Sequence, residues 1–209
     1  MMNYIVGLDI GSSTTKAVLF KEGDVVGVLK TGTRSDEAST LNIFEKLIEE
    51  HQVSKEEVER VVLTGLWAPT FEKDFSDYTT TVVSELKAIG LGGKYLSGLD
   101  RTLVVNMGTG TAFIKVIGDD ISHIGGSGVG GGTLLGLSNL LLDNTDLKGF
   151  IELLEKGDLS KVDLCIGDIC TEPLEGLTMD TTVANFGSLK NDAAPKDIAR
   201  GLMNMIFQV

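Results

Sequence analysis

Short apolar runs separated by glycine turns open the chain. NYIVGLDIG ends in such a turn, and TKAVLFKEG and DVVGVLKTG predict two more strands, joined at Gly23-Asp24 or nearby. Residues 36–51 change to helical spacing, with carboxylates and Lys46 opposite the apolar positions. The apolar positions of this predicted amphipathic helix are Leu41, Phe44, Leu47 and Ile48. A β-meander followed by a helix is therefore expected.

Strands and helices alternate in the rest of the chain. VERVVLTG is rich in β-branched residues and predicts a covered strand that ends at Gly65. Residues 82–92 predict a helix, and residues 102–117 predict a strand, a glycine turn and a returning strand. A glycine-rich loop from Gly125 leads into an apolar helix, and further helices are expected in DLKGFIELLEKG and PKDIARGLMNMIFQV. This alternation favours an α/β fold with mixed sheets flanked by helices.

One internal repeat organises the sequence. GLDIGSSTTKAVLF and VVNMGTGTAFIKVI share an apolar strand, a polar residue, a glycine, a turn rich in Ser and Thr, and a second strand. The repeat predicts two related halves, an N-terminal domain over residues 1–100 and a partial second domain over residues 101–209.

Composition removes several classes of protein. The 209 residues carry a net charge of −12, with 42% hydrophobic residues, so the chain is expected to fold and a nucleic-acid or anionic-membrane partner is disfavoured. No apolar run is long enough to span a bilayer, and the N-terminus has no basic region of a signal peptide, which favours a cytoplasmic location. Cys165 and Cys170 are interpreted as ordinary thiols.

The first glycine turn is suited to binding a phosphate. Asp9 ends a strand, and the turn offers backbone N–H groups, hydroxyl groups and the charge of Lys16. The hydroxyl groups belong to Ser12, Ser13, Thr14 and Thr15. A carboxylate in this position is where Mg²⁺ would be held, directly or through water. The alternative is a plain β-hairpin with an aspartate cap.

Two further loops strengthen the phosphate hypothesis. In NMGTGT, Gly108 and Gly110 allow close backbone approach while Thr109 and Thr111 add hydroxyl groups. Six glycines then fall within residues 125–132, before an apolar helix. We expect the start of that helix to present free N–H groups and a positive dipole end to an anion, and a flexible linker is the alternative.

Several of these motifs resemble a known family. GLDIGSSTTKAVLF and NMGTGT resemble the two phosphate motifs of the actin-like ATPase superfamily, which has a ribonuclease-H-like fold. VVNMGTGTAF, HIGGSGVGGGTLLGLSNLL and LTMDTTVANFG, in that order, are similar to type II pantothenate kinases. The resemblance implies ATP-dependent phosphorylation of pantothenate, the first step towards coenzyme A, with Mg²⁺ and a homodimer.

The resemblance also implies a role for individual residues. Glu85, which by itself would be interpreted as a solvated helix residue, matches the catalytic glutamate that takes the proton of the acceptor hydroxyl. Asp9 becomes the residue for phosphate and Mg²⁺. The residues implied for ATP are Asp9, Gly11, Ser12, Ser13, Thr14, Lys16, Gly108, Thr109, Gly110, Thr111, Gly128, Gly130, Gly131, Gly132 and Thr133. Those implied for pantothenate are Glu85, His123, Gly125, Gly126 and Ala184.

The sequence departs from that family at two places. Where the family commonly has an arginine that pairs with the pantothenate carboxylate, this chain has His123, which is alternatively a structural histidine. The family has a further glycine-rich adenosine motif after Ala-Asn-Phe-Gly, whereas this sequence ends at Val209 and is interpreted as C-terminally shortened. The last helix is then expected to expose its apolar residues, which are Leu202, Met203, Met205, Ile206 and Phe207.

Two other functions stay open. The opening segment also resembles the ATPase that activates 2-hydroxyacyl-CoA dehydratases, a family that holds an iron–sulfur cluster between two subunits through cysteines. Cys165 and Cys170 would supply two thiolates per subunit. The second alternative is a catalytically inactive fragment that binds pantothenate or an acyl-CoA.

Overall fold

The computed structural model describes residues 4–11, 14–32, 37–143 and 147–208. The chain divides into two compact units. The first unit is Met1–Asn106 with Phe113–Gly125, and the second is Met107–Ala112 with Gly126–Val209. Each unit has a core of its own and is described separately.

A five-stranded mixed sheet forms the centre of the first unit, with the strand order β3-β2-β1-β4-β5. Its strands are β1 (Tyr4–Ile10), β2 (Thr14–Lys21), β3 (Asp24–Gly32), β4 (Val58–Thr64) and β5 (Thr79–Val82). β1, β2 and β3 are antiparallel neighbours, whereas β4 runs parallel to both β1 and β5. The meander and the strand at Val58–Thr64 predicted from the sequence are confirmed, but its expected coverage on both faces is not, because Val61 and Leu63 are buried whereas Val62 is only half-buried.

A helix follows each of the strands β3, β4 and β5 of this sheet. These helices are α1 (Glu37–Glu50), α2 (Ala68–Phe71) and α3 (Glu85–Ser97), with 3₁₀ turns at Lys55–Glu57 and Glu72–Phe75. α1 packs on β1, β2 and β3, and it buries the predicted apolar positions Phe44, Leu47 and Ile48, each at most 5% exposed. The amphipathic pattern therefore identified both the helix and the face that packs on the sheet.

A second sheet of three strands follows in the order β6-β7-β8. The strands are β6 (Arg101–Met107), β7 (Thr111–Ile117) and β8 (Asp120–Ser127). α3 lies close to this sheet, because a Cβ at Gly93 would come within 2.3 Å of Val104 and one at Gly90 within 2.5 Å of Ile121. Most of the three-stranded sheet therefore clusters with the first unit, and the compact units differ from the predicted division into 1–100 and 101–209.

The second unit is mainly helical. Its elements are α4 (Gly131–Leu142), α5 (Leu147–Leu154), a 3₁₀ turn (Leu159–Lys161), β9 (Leu164–Cys165), α6 (Ile166–Ile169), β10 (Thr182–Ala184) and α7 (Pro195–Phe207). β9 and β10 form a two-stranded antiparallel sheet. α7 packs against α4 and α5, and their shared core contains Leu134, Phe150, Ala199, Leu202 and Ile206.

Local assignments differ from the sequence prediction at three places. The hairpin of β2 and β3 turns at Glu22-Gly23, both with positive φ, one residue earlier than Gly23-Asp24. The helix predicted from residue 82 begins at Glu85, because the β-branched TTTV before it forms β5. Gly125 and Gly126 lie in β8, so the glycine loop is confined to the residues that follow Ser127.

The expected exposure of the last helix is wrong for most of its apolar residues. Leu202 and Ile206 are 1% and 3% exposed, and Met203 and Met205 are partly buried, because α4 and α5 cover this face. Phe207 alone among those five residues is exposed. No helix within the described ranges is long and apolar enough to cross a lipid bilayer.

Candidate functional site

Three side chains with carboxylate or hydroxyl groups lie at or just after the carboxyl ends of neighbouring strands in the first unit. Asp9 is the penultimate residue of β1, and Thr64 is the last residue of β4. Glu85 begins α3, three residues after β5 ends. Because β1, β4 and β5 are parallel neighbours, all three residues belong to the same edge of one sheet. In open α/β sheets this edge is where ligands bind.

Asp9 and Lys16 form an ion pair across the first hairpin. The two residues are opposite each other in the antiparallel register of β1 and β2, and Lys16 Nζ donates to Asp9 Oδ2 at 2.8 Å. The side chain of Lys16 is 53% exposed and that of Asp9 is 33% exposed, so both remain accessible to a ligand. Lys16 therefore holds the carboxylate in a defined orientation.

The donors beside Asp9 fit a magnesium ion. Thr64 is the partner of Asp9 in the parallel register of β1 and β4. Its buried Oγ1 has no hydrogen-bond partner among the described residues. A carboxylate and a hydroxyl are hard oxygen ligands, and Mg²⁺ takes few protein ligands because it keeps its waters and binds phosphate oxygens. The described part of the chain has no cluster of three or more His, Cys, Asp or Glu that could bind a metal by itself.

The turn after Asp9 closes through Gly11, whose N–H donates to the carbonyl of Thr14 at 3.2 Å. Ser12 and Ser13 lie outside the described residues.

The role of Gly65, which has a φ of 95°, was not predicted from the sequence. A Cβ there would lie 2.5 Å from the carbonyl oxygen of Ile10, so only glycine lets β4 turn away this close to the hairpin. The glycine after an apolar strand was the available signal.

Glu85 occupies the first turn of α3. Its side chain is half-buried, in contrast to the solvated residue that the sequence alone suggested. Ser84 is the N-cap of α3, and the N–H of Val83 donates to the carbonyl of Leu63 at 2.8 Å, which ties the chain before Glu85 to β4. An acidic side chain in this position also interacts favourably with the helix dipole.

Two glycine segments pack directly on each other in the second unit. The N–H groups of Gly131 and Gly132 donate to the carbonyls of Gly108 and Thr109 at 2.8 and 2.9 Å. A Cβ at Gly130 would lie 2.8 Å from the backbone of Gly110. The structure therefore joins the predicted phosphate loop at residues 108–111 to the start of α4.

This packing corrects one prediction about α4. The amides of Gly131 and Gly132 were expected to be free for an anion, but they are hydrogen-bonded to the preceding loop. The hydroxyls of Thr111 and Thr133 likewise donate to the carbonyls of Val129 and Gly128, at 2.8 and 3.1 Å. Gly130, Gly131 and Gly132, three of the six glycines within residues 125–132, are thus explained by close contact between two backbone segments.

Gly128 differs from its neighbours in this loop. No heavy atom lies within 4 Å of the position that a Cβ would occupy there, and the residue is exposed. The loop between Ser127 and Gly130 is therefore open at Gly128, and a ligand can approach its backbone.

The residues implied for the acceptor are divided between the units. Glu85, His123 and Gly125 belong to the first, and Gly126 and Ala184 belong to the second. His123 lies in β8 and is exposed; the residue before it is half-buried and the residue after it is exposed. Ala184 is the last residue of β10 and is half-buried.

Cys165 and Cys170 flank the short helix α6, and both are free thiols. Burial raises the pKa of the Cys165 thiol, and the charges of Asp168, Asp163 and Asp180 raise it further. Because metal ligation and nucleophilic attack need the thiolate, this environment disfavours both.

Comparisons with known proteins match the chain to one family model and to proteins named pantothenate kinase. Residues 101–208 match the family model described as Fumble. The chain is 26% identical to a type II pantothenate kinase of Bacillus thuringiensis subsp. konkukian (strain 97-27), over the whole chain and 75% of that protein. It is 39% identical to pantothenate kinase 1 of Oryza sativa subsp. japonica, over 49% of this chain and 16% of that protein.

Solved structures show the fold. Component A of the Acidaminococcus fermentans (R)-2-hydroxyglutaryl-CoA dehydratase has a TM-score of 0.64 at 16% identity, over 99% of this chain and 77% of that chain. The activator of the Clostridium difficile 2-hydroxyisocaproyl-CoA dehydratase, solved with bound ADPNP, has a TM-score of 0.63 at 20% identity, over 98% and 72%. The chain has the α/β fold of actin-like ATPases and sugar kinases, with mixed sheets flanked by helices, as the sequence predicted.

Proposed function

The chain belongs to the Fumble family, and on that premise we propose that it is an ATP-dependent kinase that converts pantothenate to 4′-phosphopantothenate, the first step of coenzyme A biosynthesis. The names of its relatives support the kinase reaction. The structural observation that carries the proposal is that Asp9 and Glu85 lie at the edge where the parallel strands β1, β4 and β5 end.

Asp9 is proposed to hold the metal. The residues that would bind Mg²⁺ are Asp9, directly or through water, and the unpartnered hydroxyl of Thr64. Bound Mg²⁺ would neutralise charge on the transferred phosphoryl group. Lys16 pairs with Asp9 in this structure and is proposed to donate to a phosphate oxygen in the ATP complex.

Glu85 is proposed to act as the general base. A carboxylate within hydrogen-bond distance of the primary hydroxyl of pantothenate takes its proton as the hydroxyl oxygen attacks the γ-phosphorus, whose bond to the bridging oxygen of ADP breaks so that ADP leaves. A half-buried position at the start of a helix holds such a group more firmly than a solvated one would.

The glycine segments are proposed to bind the phosphates by their shape. The interlocked loops at 108–111 and 130–133 form a stiff platform, because their own amides and hydroxyls already bond each other. Gly128 offers open backbone beside this platform. On the acceptor side we assign Gly125, Gly126 and Ala184 to pantothenate, with His123 near its carboxylate, and we propose a homodimer.

The base assignment is tested with Glu85→Gln. We expect turnover of ATP with pantothenate to fall by about two orders of magnitude or more, the size of a lost general base, while ATP affinity stays within about twofold. Glu72→Gln is the matched control, since Glu72 is an exposed acidic residue that begins the 3₁₀ turn Glu72–Phe75 of the same unit. Equal activity in wild type and Glu85→Gln would remove Glu85 from the mechanism.

The two alternatives have distinct signatures. A dehydratase activator would contain iron after anaerobic purification, and replacing Cys165 and Cys170 by serine would remove it. A binding fragment would bind pantothenate or an acyl-CoA and produce no ADP. The kinase predicts ADP formation that depends on pantothenate, without iron.

A further inference from the structure

Asp163 is a buried carboxylate of the second unit that the proposed reaction does not use. Its side chain is fully inaccessible to solvent. Asp163 Oδ1 accepts the N–H of Phe186 at 2.9 Å, and Oδ2 accepts Thr182 Oγ1 at 3.1 Å and Asn204 Nδ2 at 2.8 Å. These donors belong to β10, to the turn that follows it and to α7. One side chain thus ties three segments together.

Joining these segments through a buried carboxylate has a cost in folding free energy. Burial of a charge is unfavourable unless the charge is paired or fully hydrogen-bonded. Within the part of the chain that the structure describes, no Lys, Arg or His forms an ion pair with Asp163. Two oxygens with several lone pairs, however, can accept all three donors at once, which no neutral side chain of this size can do.

The turn held by Asp163 has an unusual backbone. Phe186 has a φ of 58°, in the left-handed region that bulky residues avoid. The next residue, Gly187, donates its N–H to the carbonyl of Ala184 at 3.0 Å, and a Cβ there would lie 2.7 Å from that of Ala184. Such strain persists where the surroundings over-determine the conformation. Asp163 supplies that constraint at the amide of Phe186 itself.

We propose that Asp163 is a positioning residue for the acceptor: by accepting the N–H of Phe186 and the donors of Thr182 and Asn204, it fixes the turn at residues 184–187 so that Ala184 is presented to pantothenate. The proposal rests on the proposed function. Asp163 does not touch substrate, and its effect passes through the backbone of Ala184.

The test is Asp163→Asn. An asparagine has one acceptor oxygen in place of two carboxylate oxygens, so it cannot accept the donors of Phe186, Thr182 and Asn204 at the same time. We expect the KM for pantothenate to rise about tenfold, the effect of one lost hydrogen bond, while the KM for ATP and kcat stay within about twofold. In hydrogen exchange the amide of Phe186 should exchange about tenfold faster.

A reciprocal exchange supplies the rescue. In Asp163→Asn combined with Asn204→Asp, the amide at 163 donates to the carboxylate at 204, while its oxygen still accepts the N–H of Phe186. We expect this double variant to recover the pantothenate KM and the slow exchange at Phe186. Asp197→Asn is the matched control, since Asp197 is another buried carboxylate of the second unit that accepts two backbone N–H groups away from this turn. It should lower thermal stability and leave the pantothenate KM unchanged.

The outcomes separate the two proposals. Two results in an active wild type would overturn the positioning role and leave the kinase proposal intact. One is a pantothenate KM that is the same in Asp163→Asn as in wild type, and the other is an equal rise of this KM in Asp197→Asn. A double variant that stays impaired in both KM and exchange also overturns it. A wild type without pantothenate turnover overturns the proposed function, and the acceptor role of Asp163 with it, even where exchange at Phe186 responds as expected.

Discussion

Lys16 Nζ lies 2.8 Å from Asp9 Oδ2, and the two residues are direct partners across the first hairpin. An exposed ion pair of this kind contributes little to stability, about 0–1 kcal/mol. We propose a chemical role for this ion pair, because it keeps a carboxylate and an ammonium group together at the edge where β1 and β4 end. Both groups are then available to a metal-bound polyphosphate.

Asp9→Asn is expected to remove catalysis without unfolding the protein. Loss of the carboxylate weakens Mg²⁺ binding, and we expect kcat to fall about a hundredfold or more, the size found when a single electrostatic contact to the transition state is lost. Steady-state kinetics at several Mg²⁺ concentrations measure it. Asp24→Asn, an exposed aspartate of the same sheet, should behave as wild type. A fall in kcat shared by both variants would contradict a specific role for Asp9.

Gly130→Ala should separate the two glycine segments. Its new Cβ would meet the backbone of Gly110 at 2.8 Å, and overpacking of this kind costs about 1–3 kcal/mol. Gly136→Ala is the control in the same helix, because its Cβ meets open space and alanine favours the helix by about 0.5–1 kcal/mol. Urea unfolding measures both. Equal stability of the two variants would show that the segments do not depend on this contact.

His123→Arg should strengthen acceptor binding. Arginine is permanently charged and forms two parallel hydrogen bonds with a carboxylate, whereas an imidazole cannot. If His123 lies near the pantothenate carboxylate, we expect the KM for pantothenate to fall about threefold to tenfold, for a gain of about 1 kcal/mol. Pantothenate titration at constant ATP measures this. An unchanged KM for pantothenate would return His123 to a structural or solvent-exposed role.

Asp197 should make the second unit sensitive to acid. The N–H groups of Asp158 and Ala194 bond its carboxylate and hold its pKa below the ordinary value of 3.8. The stabilisation from the Asp197 carboxylate is therefore fully present above 3.8 and is lost as the pH falls through the lower pKa of the folded state. Asp197→Asn should cost about 1–2 kcal/mol at pH 7, and the difference from wild type should shrink towards pH 3. Chemical unfolding at several pH values measures it, and a pH-independent difference would contradict the assignment.

The sequence predicted the parts of the fold that local patterns specify. The first hairpin, α1 and β4 follow from hydrophobic periodicity, and the internal repeat identified both hairpins with a glycine turn. β5 is only four residues long, and β8 contains two glycines, so neither produces a clear pattern. β5 pairs with β4 and β8 pairs with β7, and this pairing within the sheets decides their conformation.

The candidate site shows the same limit. Asp9 and Glu85 could be found because each follows a recognisable strand or motif, although the edge they share is visible only from the sheet order. Asp163 has no sequence signal, since an aspartate in KVDLC is ordinarily solvated. Its burial depends on Asn204, 41 residues later on α7. Likewise, the glycine density at residues 125–132 suggested a ligand, but Gly130, Gly131 and Gly132 serve the contact with the loop at residues 108–110.

The most direct measurement is the product formed from Mg²⁺, ATP and pantothenate by the wild-type chain, analysed by mass spectrometry beside Glu85→Gln and Glu72→Gln. Our account predicts 4′-phosphopantothenate and an equal amount of ADP with wild type and Glu72→Gln, and almost none with Glu85→Gln. Nucleotide binding by the wild type without any phosphorylated pantothenate would contradict it.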